Sequence, residues 1–277
     1  MLLAAIGAPL TAQLLQGGTV TVDELLRRRP FLIAHRGGSA NWPEMSLHAY
    51  EQSAAHGIPA LEMSVGRSSD GVWFGLHDAT LDRTSGTVGF TAGDHPWAEI
   101  SRYRIHPPPT APHQPARPYL RLTDFLARFA ASHVLFLDPK SQNRRFYPEL
   151  LDLLRSSVAD PMKHVIAKGP AASLVWPRFA ADAGYRRWGF YYARELSRDP
   201  TLLARTQGAW DLLGLDYGAS SADWKAVTSY GKPVVGHVIS RKIDERRALS
   251  EGAAGIMLAD VLRLSPASPG PWQATSA

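Results

Sequence analysis

The chain has 277 residues, a net charge of +5 and no cysteine, which excludes disulfide bridges and thiolate metal sites. Hydrophobic residues make up 45% of it and charged residues 20%, a globular rather than a disordered composition. No apolar run reaches the roughly 18 residues of a membrane-spanning helix, and the scattered basic residues argue against nucleic-acid binding.

The two ends of the chain differ in composition from its middle. Residues 1–20 are mostly apolar or small and uncharged, whereas a secretory signal begins with a positively charged region. This composition favours a cytoplasmic protein with an apolar N-terminal segment, and a secreted or membrane-associated protein is the alternative. Residues 265–277 are rich in Pro and Ser and are predicted to be a frayed tail. We therefore expect one folded domain over residues 21–264.

Nine short apolar runs alternate with amphipathic stretches along this domain, and each run is predicted to be a β-strand. Several runs are apolar throughout, which is typical of strands buried on both faces. The predicted strands are Phe31–Ala34, Ala60–Arg67, Val72–His77, Val134–Asp138, His164–Lys168, Arg187–Tyr192, Leu212–Asp216, Pro233–Ile239 and Gly255–Leu258. Capping residues predict helices that begin at Thr21, Ser46, Asp199 and Ser240.

The second and third runs are too close together for a crossover helix between them. Only residues 68–71 separate them, and Asp70-Gly71 is a strong signal for a two-residue hairpin turn. The pairs that follow from this turn are Ser69–Val72, Arg67–Phe74, Val65–Leu76 and Ser64–His77. This register predicts that Ser64 and His77 share one face of the hairpin.

Without the hairpin arm, eight strands remain, separated by helices or long loops. Eight parallel strands with right-handed crossovers close into a barrel, usually of about 250 residues. We therefore predict an α/β fold, a (β/α)8 TIM barrel with a β-hairpin after the second strand. The proline-rich stretch Thr91–Leu120 is predicted to be an inserted irregular loop that forms a wall over the barrel mouth.

The first predicted strand leads into His35, Arg36 and Gly37, at the carboxyl end of the barrel, where ligands of this fold bind. Imidazole accepts or donates a proton near neutral pH. The guanidinium of Arg36 suits a phosphate or a carboxylate. The alternative is a capped histidine beside a surface arginine.

The hairpin adds a carboxylate and a second histidine to this end of the barrel. Glu62 and Ser64 lie two apart on one strand and so share a face, and the predicted register adds His77, followed by Asp78. Such groups on an inward face are costly to bury unless a metal or a substrate lies among them. A structural ion pair of Glu62 is the alternative.

The fourth predicted strand ends in Asp138, and Lys140 follows it. A carboxylate of this kind suits a hard divalent cation, and an ammonium beside it suits an anionic oxygen. The alternative is a surface ion pair between the two residues, which contributes little stability.

The order and spacing of these motifs resemble the glycerophosphodiester phosphodiesterase family. The matching motifs are His35-Arg36-Gly37, Pro43-Glu44, Glu62-x-Ser64, Asp70-Gly71, His77-Asp78 and Asp138-x-Lys140. The dense part covers residues 31–90, and weaker similarity extends through 119–140 and 252–260. The resemblance implies a (β/α)8 barrel that hydrolyses glycerophosphodiesters to glycerol 3-phosphate and an alcohol, with one divalent cation, Ca2+ or Mg2+, as cofactor.

Carried over residue by residue, the resemblance also implies roles for the matching side chains. The acid–base pair is His35 and His77, the metal-binding positions are Glu62, Ser64 and Asp138, the phosphate contacts are Arg36 and Lys140, and the supporting residues are Glu44 and Asp78. Which histidine is the acid and which the base stays open. The expected partner is a small glycerophosphodiester, with no nucleic acid and with membrane contact left open.

The sequence departs from the family pattern at three points. The family's Glu-x-Asp is Glu62-x-Ser64 here, its Pro-Glu-Asn-Thr is Pro43-Glu44-Met45-Ser46, and its Glu-x-Lys is Asp138-x-Lys140. Ser64 replaces a carboxylate by a neutral hydroxyl, which weakens the attraction for a divalent ion. Two alternatives follow: a barrel that binds a phosphorylated ligand without hydrolysing it, and a phospholipase D-like enzyme that acts on intact lipids. The second predicts an exposed apolar rim that includes Phe90, Trp97 and Tyr103.

Overall fold

The computed structural model describes residues 19–140 and 142–265, so the predicted N-terminal segment and C-terminal tail lie almost wholly outside the described residues. The strands are β1 (Phe31–Ala34), β2 (Ala60–Arg67), β3 (Trp73–Gly75), β4 (Arg104–Ile105), β5 (Arg117–Pro118), β6 (Val134–Asp138), β7 (Val165–Pro170), β8 (Arg186–Tyr191), β9 (Leu212–Asp216), β10 (Val234–Ile239) and β11 (Gly255–Leu258). The helices are α1 (Val22–Arg27), α2 (Leu47–Ala55), α3 (Asp82–Ser85), α4 (Trp97–Ile100), α5 (Leu122–Phe129), α6 (Tyr147–Ser157), α7 (Pro161–His164), α8 (Val175–Asp182), α9 (Ala193–Arg198), α10 (Leu202–Thr206), α11 (Ser221–Thr228), α12 (Lys242–Ser250) and α13 (Val261–Leu264). None of these helices is long and apolar enough to cross a membrane.

Eight of the strands form one closed parallel sheet. Its order is β1, β11, β10, β9, β8, β7, β6 and β2, and β2 closes the circle by pairing with β1. At least one helix lies between each two consecutive barrel strands. The predicted (β/α)8 barrel is therefore confirmed. Five of the nine predicted strands have the observed bounds, and the ends of the others differ by at most two residues.

Two layers of apolar side chains hold the barrel together, because successive side chains of a strand point to opposite sides of the sheet. The inner layer includes Phe31, Ile33, Val134, Phe136, Ile166, Trp188, Leu212, Val235 and Met257. The outer layer packs the other faces of the strands against the helices. Fully burying one such side chain contributes about 1.5–3 kcal/mol. On β2, β6 and β7 the inward rows continue into Glu62, Asp138 and Lys168, which brings charged groups to the carboxyl end of the barrel.

The hairpin after β2 is present, but the predicted register is wrong by one residue. The observed pairs are Val65–Gly75, Gly66–Phe74 and Arg67–Trp73. The loop has three residues instead of two, because the Ser68 N–H donates to the Val72 carbonyl oxygen at 3.0 Å and closes the turn there. Gly71, at φ +90°, takes the left-handed position that such a loop needs. Leu76, not His77, therefore lies opposite Ser64.

The predicted helix starts are partly correct. Thr21 and Ser46 are the N-caps of α1 and α2, as predicted. Helix α10 begins after Thr201 instead of Asp199, because the Asp199 carboxylate accepts the Thr201 N–H at 3.0 Å in a turn that precedes the helix. Helix α12 begins after Arg241, one residue beyond the predicted Ser240.

The proline-rich insertion is mostly irregular, as predicted, although it also contains α4 and the two short strands β4 and β5. The His106 N–H donates to Thr84 O at 2.7 Å, and Thr110 Oγ1 donates to Ala40 O. These contacts place the insertion beside the loops that follow β1 and β3, at the carboxyl end of the barrel. The insertion therefore stands next to the barrel mouth.

The three aromatic residues considered for an exposed rim do not form one. Phe90 and Trp97 are buried, and Tyr103 packs edge-on against Phe90 with the ring centroids 4.9 Å apart. Trp97 packs on Phe74 of β3. The aromatic side chains thus attach the insertion to the hairpin.

Candidate active site

The chain leaves β1 through a tight 3-10 turn over His35–Gly37. Arg36 has φ +49°, in the left-handed region, and such backbone strain in a non-glycine residue clusters at functional sites. A Cβ on Gly37 would lie 3.0 Å from Ala49 Cβ, so the close approach of α2 favours glycine. The Arg36 N–H donates to Glu62 Oε2 at 2.8 Å and ties the turn to β2.

The ring of His35 is held within this turn. Its Nδ1 lies 3.0 Å from Ser39 Oγ, which leaves Nε2 for a ligand. Burial lowers the pKa of His35 well below its usual 6.5, and the positive charges of Arg36 and Lys168 lower it further. His35 is therefore neutral at pH 7 and able to accept a proton.

His77 lies two residues beyond the end of β3, where the chain bends. Its Nδ1 lies 2.7 Å from Asp78 Oδ1. Burial and the charges of Arg36 and Lys140 lower the pKa of His77, whereas Asp78 opposes this shift. Arg36 lowers the pKa of both histidines, and His77 itself lowers that of His35. The positive charge of Arg36 therefore acts on both imidazoles.

A network of ion pairs connects Arg36 with Asp78. Glu44 accepts hydrogen bonds from Arg36 at 3.1 and 3.2 Å and from Arg83 at 2.8 and 3.0 Å. Arg83 Nε in turn donates to Asp78 Oδ2 at 2.6 Å. Burial opposes the charge of Glu44, but the two guanidiniums outweigh this effect and lower its pKa. Glu44 and Asp78, which were expected to support the site, are thus joined through Arg83.

Of the two predicted phosphate contacts, Arg36 belongs to this network, whereas Lys140 pairs with Asp138. Arg36 Nε is buried, and no residue in the described part of the chain accepts its hydrogen bond. A buried donor without an acceptor costs about 1–3 kcal/mol, which a bound anion beside it would offset. Lys140 Nζ lies 2.7 Å from Asp138 Oδ2 and 5.3 Å from the centre of the Phe190 ring. Like Arg36, Lys140 has a positive φ, +29°.

A third cation lies deeper in the barrel, between carboxylates from two neighbouring strands. Lys168 Nζ on β7 is 2.8 Å from Glu62 Oε1 and 3.1 Å from Asp138 Oδ2. All three side chains are buried. Burial opposes each of the charges, but the opposite charges prevail: they lower the pKa of Glu62 and Asp138 and raise that of Lys168. The three groups are therefore ionised together at pH 7.

The residues predicted to bind a divalent cation, Glu62, Ser64 and Asp138, do not fit one in this arrangement. Each carboxylate oxygen already accepts a hydrogen bond or an ion pair, from Arg36 N–H, Lys168, Ser64 Oγ, Lys140 N–H and Lys140 Nζ. Ser64 donates to Glu62 Oε1 at 3.2 Å and adds no negative charge. In residues 19–140 and 142–265 no three His, Cys, Asp or Glu side chains form a group suited to a metal ion. The Lys168 ammonium lies between the two carboxylates instead.

Three residues of this site were not identified from the sequence. Lys168 is the last residue of a predicted apolar strand, as Asp138 is. The criterion that selected Asp138, a charged residue at the carboxyl end of a strand, therefore also selects Lys168. His237, on the inner face of β10, is buried with Nε2 3.2 Å from Tyr191 O, and burial lowers its pKa to about 3. Arg83 lies in the short helix α3, and no motif or spacing in the sequence marks it.

The chain is thus a (β/α)8 barrel that gathers imidazoles, cations and carboxylates at the carboxyl end of its sheet. Residues 35–165 match the model of the Glycerophosphoryl diester phosphodiesterase family. Human glycerophosphodiester phosphodiesterase 1 is 43% identical over 63 residues, which cover 23% of this chain and 19% of the human protein. Glycerophosphodiester phosphodiesterase of Caldanaerobacter subterraneus is 37% identical over 62 residues, 22% of this chain and 26% of that protein. The chain thus spans about a quarter or less of the length of these curated relatives.

Solved structures match this chain over most of the barrel. A phosphodiesterase of Oleispira antarctica in complex with the product sn-glycerol-3-phosphate has a TM-score of 0.66 at 18% identity, covering 83% of this chain and 93% of that one. Glycerophosphodiester phosphodiesterase of Agrobacterium tumefaciens has a TM-score of 0.64 at 17% identity, covering 84% and 97%. At such identities the likeness shows the fold. Taken with the match of residues 35–165 to the family model, it supports the similarity of this chain to the glycerophosphoryl diester phosphodiesterase family.

Proposed function

We propose that this chain hydrolyses glycerophosphodiesters to glycerol 3-phosphate and an alcohol. The observation that carries the proposal is that Arg36 is linked to both imidazoles: it follows His35 in the turn after β1, and hydrogen bonds through Glu44, Arg83 and Asp78 connect it with His77. Lys140 and Lys168 both contact Asp138 at the same end of the barrel. Cleavage at phosphorus needs such a set, because charge develops on the phosphate oxygens while protons move at the attacking and leaving oxygens. The family match and the product held by the Oleispira antarctica phosphodiesterase support a glycerol-containing substrate.

Arg36 and Lys140 bind the non-bridging phosphate oxygens in this proposal. Arg36 has its unused Nε–H, and the carboxylate of Glu44 fixes the other end of its guanidinium. Lys140 is oriented by Asp138. Hydrogen bonds from these cations strengthen as charge develops on the phosphate oxygens, which lowers the barrier.

His35 is the general base in this proposal. Its pKa lies well below 6.5, so its Nε2 is free to take a proton from the attacking water. If the neighbouring glycerol hydroxyl attacks instead, the product is a cyclic phosphodiester, and a second attack by water is needed to open it to glycerol 3-phosphate. The oxygen that loses this proton forms the new bond to phosphorus. Ser39 contacts the opposite ring nitrogen, Nδ1, at 3.0 Å and so leaves Nε2 available.

His77 is the general acid. Asp78 contacts its Nδ1 and favours the protonated ring, which leaves the Nε2 proton for the departing alcohol oxygen. The bond between phosphorus and that oxygen breaks as the proton is transferred, so the alcohol leaves neutral. His77 finishes the step neutral and His35 protonated, and exchange with solvent restores both.

The family resemblance implies a divalent cation, calcium or magnesium, but the proposal assigns no step to it. The carboxylates that such an ion would need are engaged by Lys168 and Lys140. The positive charge beside the phosphate comes from side chains of the chain itself.

The test is incubation of the purified chain with glycerophosphocholine, glycerophosphoethanolamine and glycerophosphoinositol, followed by an assay for glycerol 3-phosphate. We expect release from at least one of the three diesters. His35→Ala and His77→Ala should each reduce turnover by at least about 10²-fold. His113→Ala is the matched control, because His113 is exposed on the insertion. Near-wild-type turnover in either active-site variant would remove the acid–base assignment.

Two other activities are outcomes of the same test. A barrel that only binds phosphorylated ligands would take up the diesters and leave them intact. A phospholipase D-like enzyme would cleave intact lipids in vesicles in preference to the water-soluble diesters. The buried positions of Phe90 and Trp97 do not favour lipid docking by the rim considered for these residues.

A further inference from the structure

The Lys168 ammonium occupies the centre of the carboxylate cluster. It contacts Glu62 at 2.8 Å and Asp138 at 3.1 Å, and its side chain is only 6% exposed. A buried lysine held by two carboxylates from two other strands is expensive to desolvate, and it persists only where the hydrogen bonds are well made. A surface ion pair would need neither the burial nor the convergence of β2, β6 and β7. The buried position of the ammonium therefore indicates that the positive charge of Lys168 has a function in the site.

The charges balance in a way that explains Ser64. In the family pattern, three carboxylates, at the positions of Glu62, Ser64 and Asp138, surround one divalent ion. Their net charge is −1, since −3 plus +2 gives −1. Glu62 and Asp138 with the Lys168 ammonium also carry −1, since −2 plus +1 gives −1. Replacing an aspartate by Ser64 removes one negative charge, and replacing a divalent ion by Lys168 removes one positive charge. The two substitutions compensate each other only if they occur together.

We propose that Lys168 takes the place of the divalent cation, so that this chain hydrolyses its phosphodiester without a bound metal ion. This inference rests on the proposed function of the same site. An ammonium has three N–H donors; two of them contact Glu62 and Asp138. Beyond these, Nζ has only the rings of Phe190 and Trp188 beside it among the described residues, at 4.9 and 5.8 Å from their centres, and a ring face is a much weaker acceptor than a phosphate oxygen. The third N–H donates to a non-bridging phosphate oxygen, beside the contacts made by Arg36 and Lys140. Lys168 is then a catalytic residue, because it stabilises charge on the phosphate directly.

The first experiment measures whether the wild-type chain binds a metal ion. Calorimetric titration with CaCl2, MgCl2 and MnCl2 after chelator treatment is expected to give no stoichiometric site, and the thermal unfolding midpoint is expected to stay constant with added metal. Release of glycerol 3-phosphate should change by less than about twofold between excess chelator and millimolar calcium or magnesium. Stoichiometric binding at micromolar affinity that Glu62→Gln abolishes would overturn the proposal, even in a chain that hydrolyses no diester.

The second experiment exchanges both residues. Lys168→Met alone should lower turnover by at least about 10²-fold, with no recovery on adding metal, because the third carboxylate is absent. Ser64→Asp together with Lys168→Met should instead produce one binding site for calcium or magnesium, seen as binding heat and as a rise in the unfolding midpoint. Lys163→Met is the matched control, since Lys163 is exposed and forms a surface ion pair with Asp160; it should behave as the wild type.

The outcomes separate this inference from the proposed function. A wild-type chain that hydrolyses diesters only with added metal would contradict the inference and keep the function. A chain without activity and without a metal site would contradict the function and leave the cation assignment supported by the binding data. Full turnover in Lys168→Met would show that the ammonium is not catalytic and would overturn the proposal. If the variants do not fold, the wild-type titration decides alone.

Discussion

His77 Nδ1 lies 2.7 Å from Asp78 Oδ1, and the second oxygen of Asp78 accepts a hydrogen bond from Arg83. The carboxylate therefore has two fixed partners and holds the imidazole in one orientation. Through Arg83 and Glu44 the same network reaches Arg36, the predicted phosphate contact. The proposed proton donor and the proposed anion-binding group are thus positioned by one set of ion pairs.

Asp78→Asn should reduce turnover by about 10- to 100-fold, because the amide no longer stabilises the protonated His77. The Michaelis constant should change little, since Asp78 does not contact the substrate in the proposed mechanism. Steady-state kinetics with the best diester measures both quantities. Asp124→Asn, an exposed change on α5, is the control. A rise in the Michaelis constant at unchanged turnover would instead assign Asp78 to substrate binding.

The roles of the two histidines predict different responses to the leaving group. An ester of p-nitrophenol needs no proton on its departing oxygen, so it should restore much of the activity lost in His77→Ala. The same substrate should not restore the activity of the His35→Ala variant, because the nucleophile still has to lose its proton. Turnover of both variants on the activated and the natural diester gives the comparison. The reverse pattern would exchange the roles of acid and base.

The rate of the free enzyme should be greatest on the acid side of neutrality. The mechanism needs His35 unprotonated, which holds above its pKa, and His77 protonated, which holds below its pKa. These two requirements give a bell-shaped dependence of kcat/KM on pH. Because the pKa of each histidine is lowered from 6.5, both its acidic and its basic limb move to lower pH. Asp78→Asn should move the basic limb further down, since Asp78 raises the pKa of His77. A maximum of kcat/KM above pH 8 would contradict this assignment.

Arg83 is expected to act by positioning and not by contact with the substrate. Arg83→Met removes two hydrogen bonds to Glu44 and one to Asp78, which loosens both Arg36 and His77. The Michaelis constant should rise and turnover should fall, each by about 3- to 10-fold. Arg83→Lys should change the Michaelis constant and the turnover number less than Arg83→Met does, because an ammonium still pairs with Glu44. Equal stability of the variants, measured by urea unfolding, separates this effect from a loss of fold.

One prediction concerns the barrel itself. A Cβ on Gly255 of β11 would lie 2.3 Å from Phe31 Cε2 on the neighbouring strand β1. Gly255→Ala should therefore destabilise the fold by about 1–3 kcal/mol through overpacking. Gly208→Ala is the control, since the described residues place no atom within 4 Å of its new methyl group, apart from chain neighbours and the backbone of its own helix. The change should be within about 0.5 kcal/mol. Urea unfolding of both variants tests the comparison.

The strands could be predicted from sequence because each is a short apolar run with clear ends. Two examples are Val134–Asp138 and Gly255–Leu258, which are almost entirely apolar and have the predicted bounds. The length of the chain between runs then requires parallel pairing and a closed sheet. The hairpin register could not be predicted in the same way, because Asp70-Gly71 fits either a two-residue or a three-residue loop. The Ser68–Val72 contact decides between them.

The chemistry of the site was predictable only where a motif carried it. His35, Arg36 and Asp138 follow strand ends, and their side chains meet at one edge of the barrel. Lys168 has no motif of its own, and its importance depends on the distance between β2, β6 and β7, which only the folded barrel defines. Ser64 was recognisable in the sequence as a departure from the family pattern, whereas the position of Lys168 at a strand end gave no sign that it meets Glu62 and Asp138.

The most direct test of the central claim is a 31P NMR time course of glycerophosphocholine with the purified chain. Hydrolysis at the two-histidine site predicts that the diester resonance disappears and an equal amount of glycerol 3-phosphate monoester appears with the wild type, while the diester persists with His35→Ala under the same conditions. An unchanged diester resonance with the wild type, or equal conversion by the His35→Ala variant, would contradict this claim.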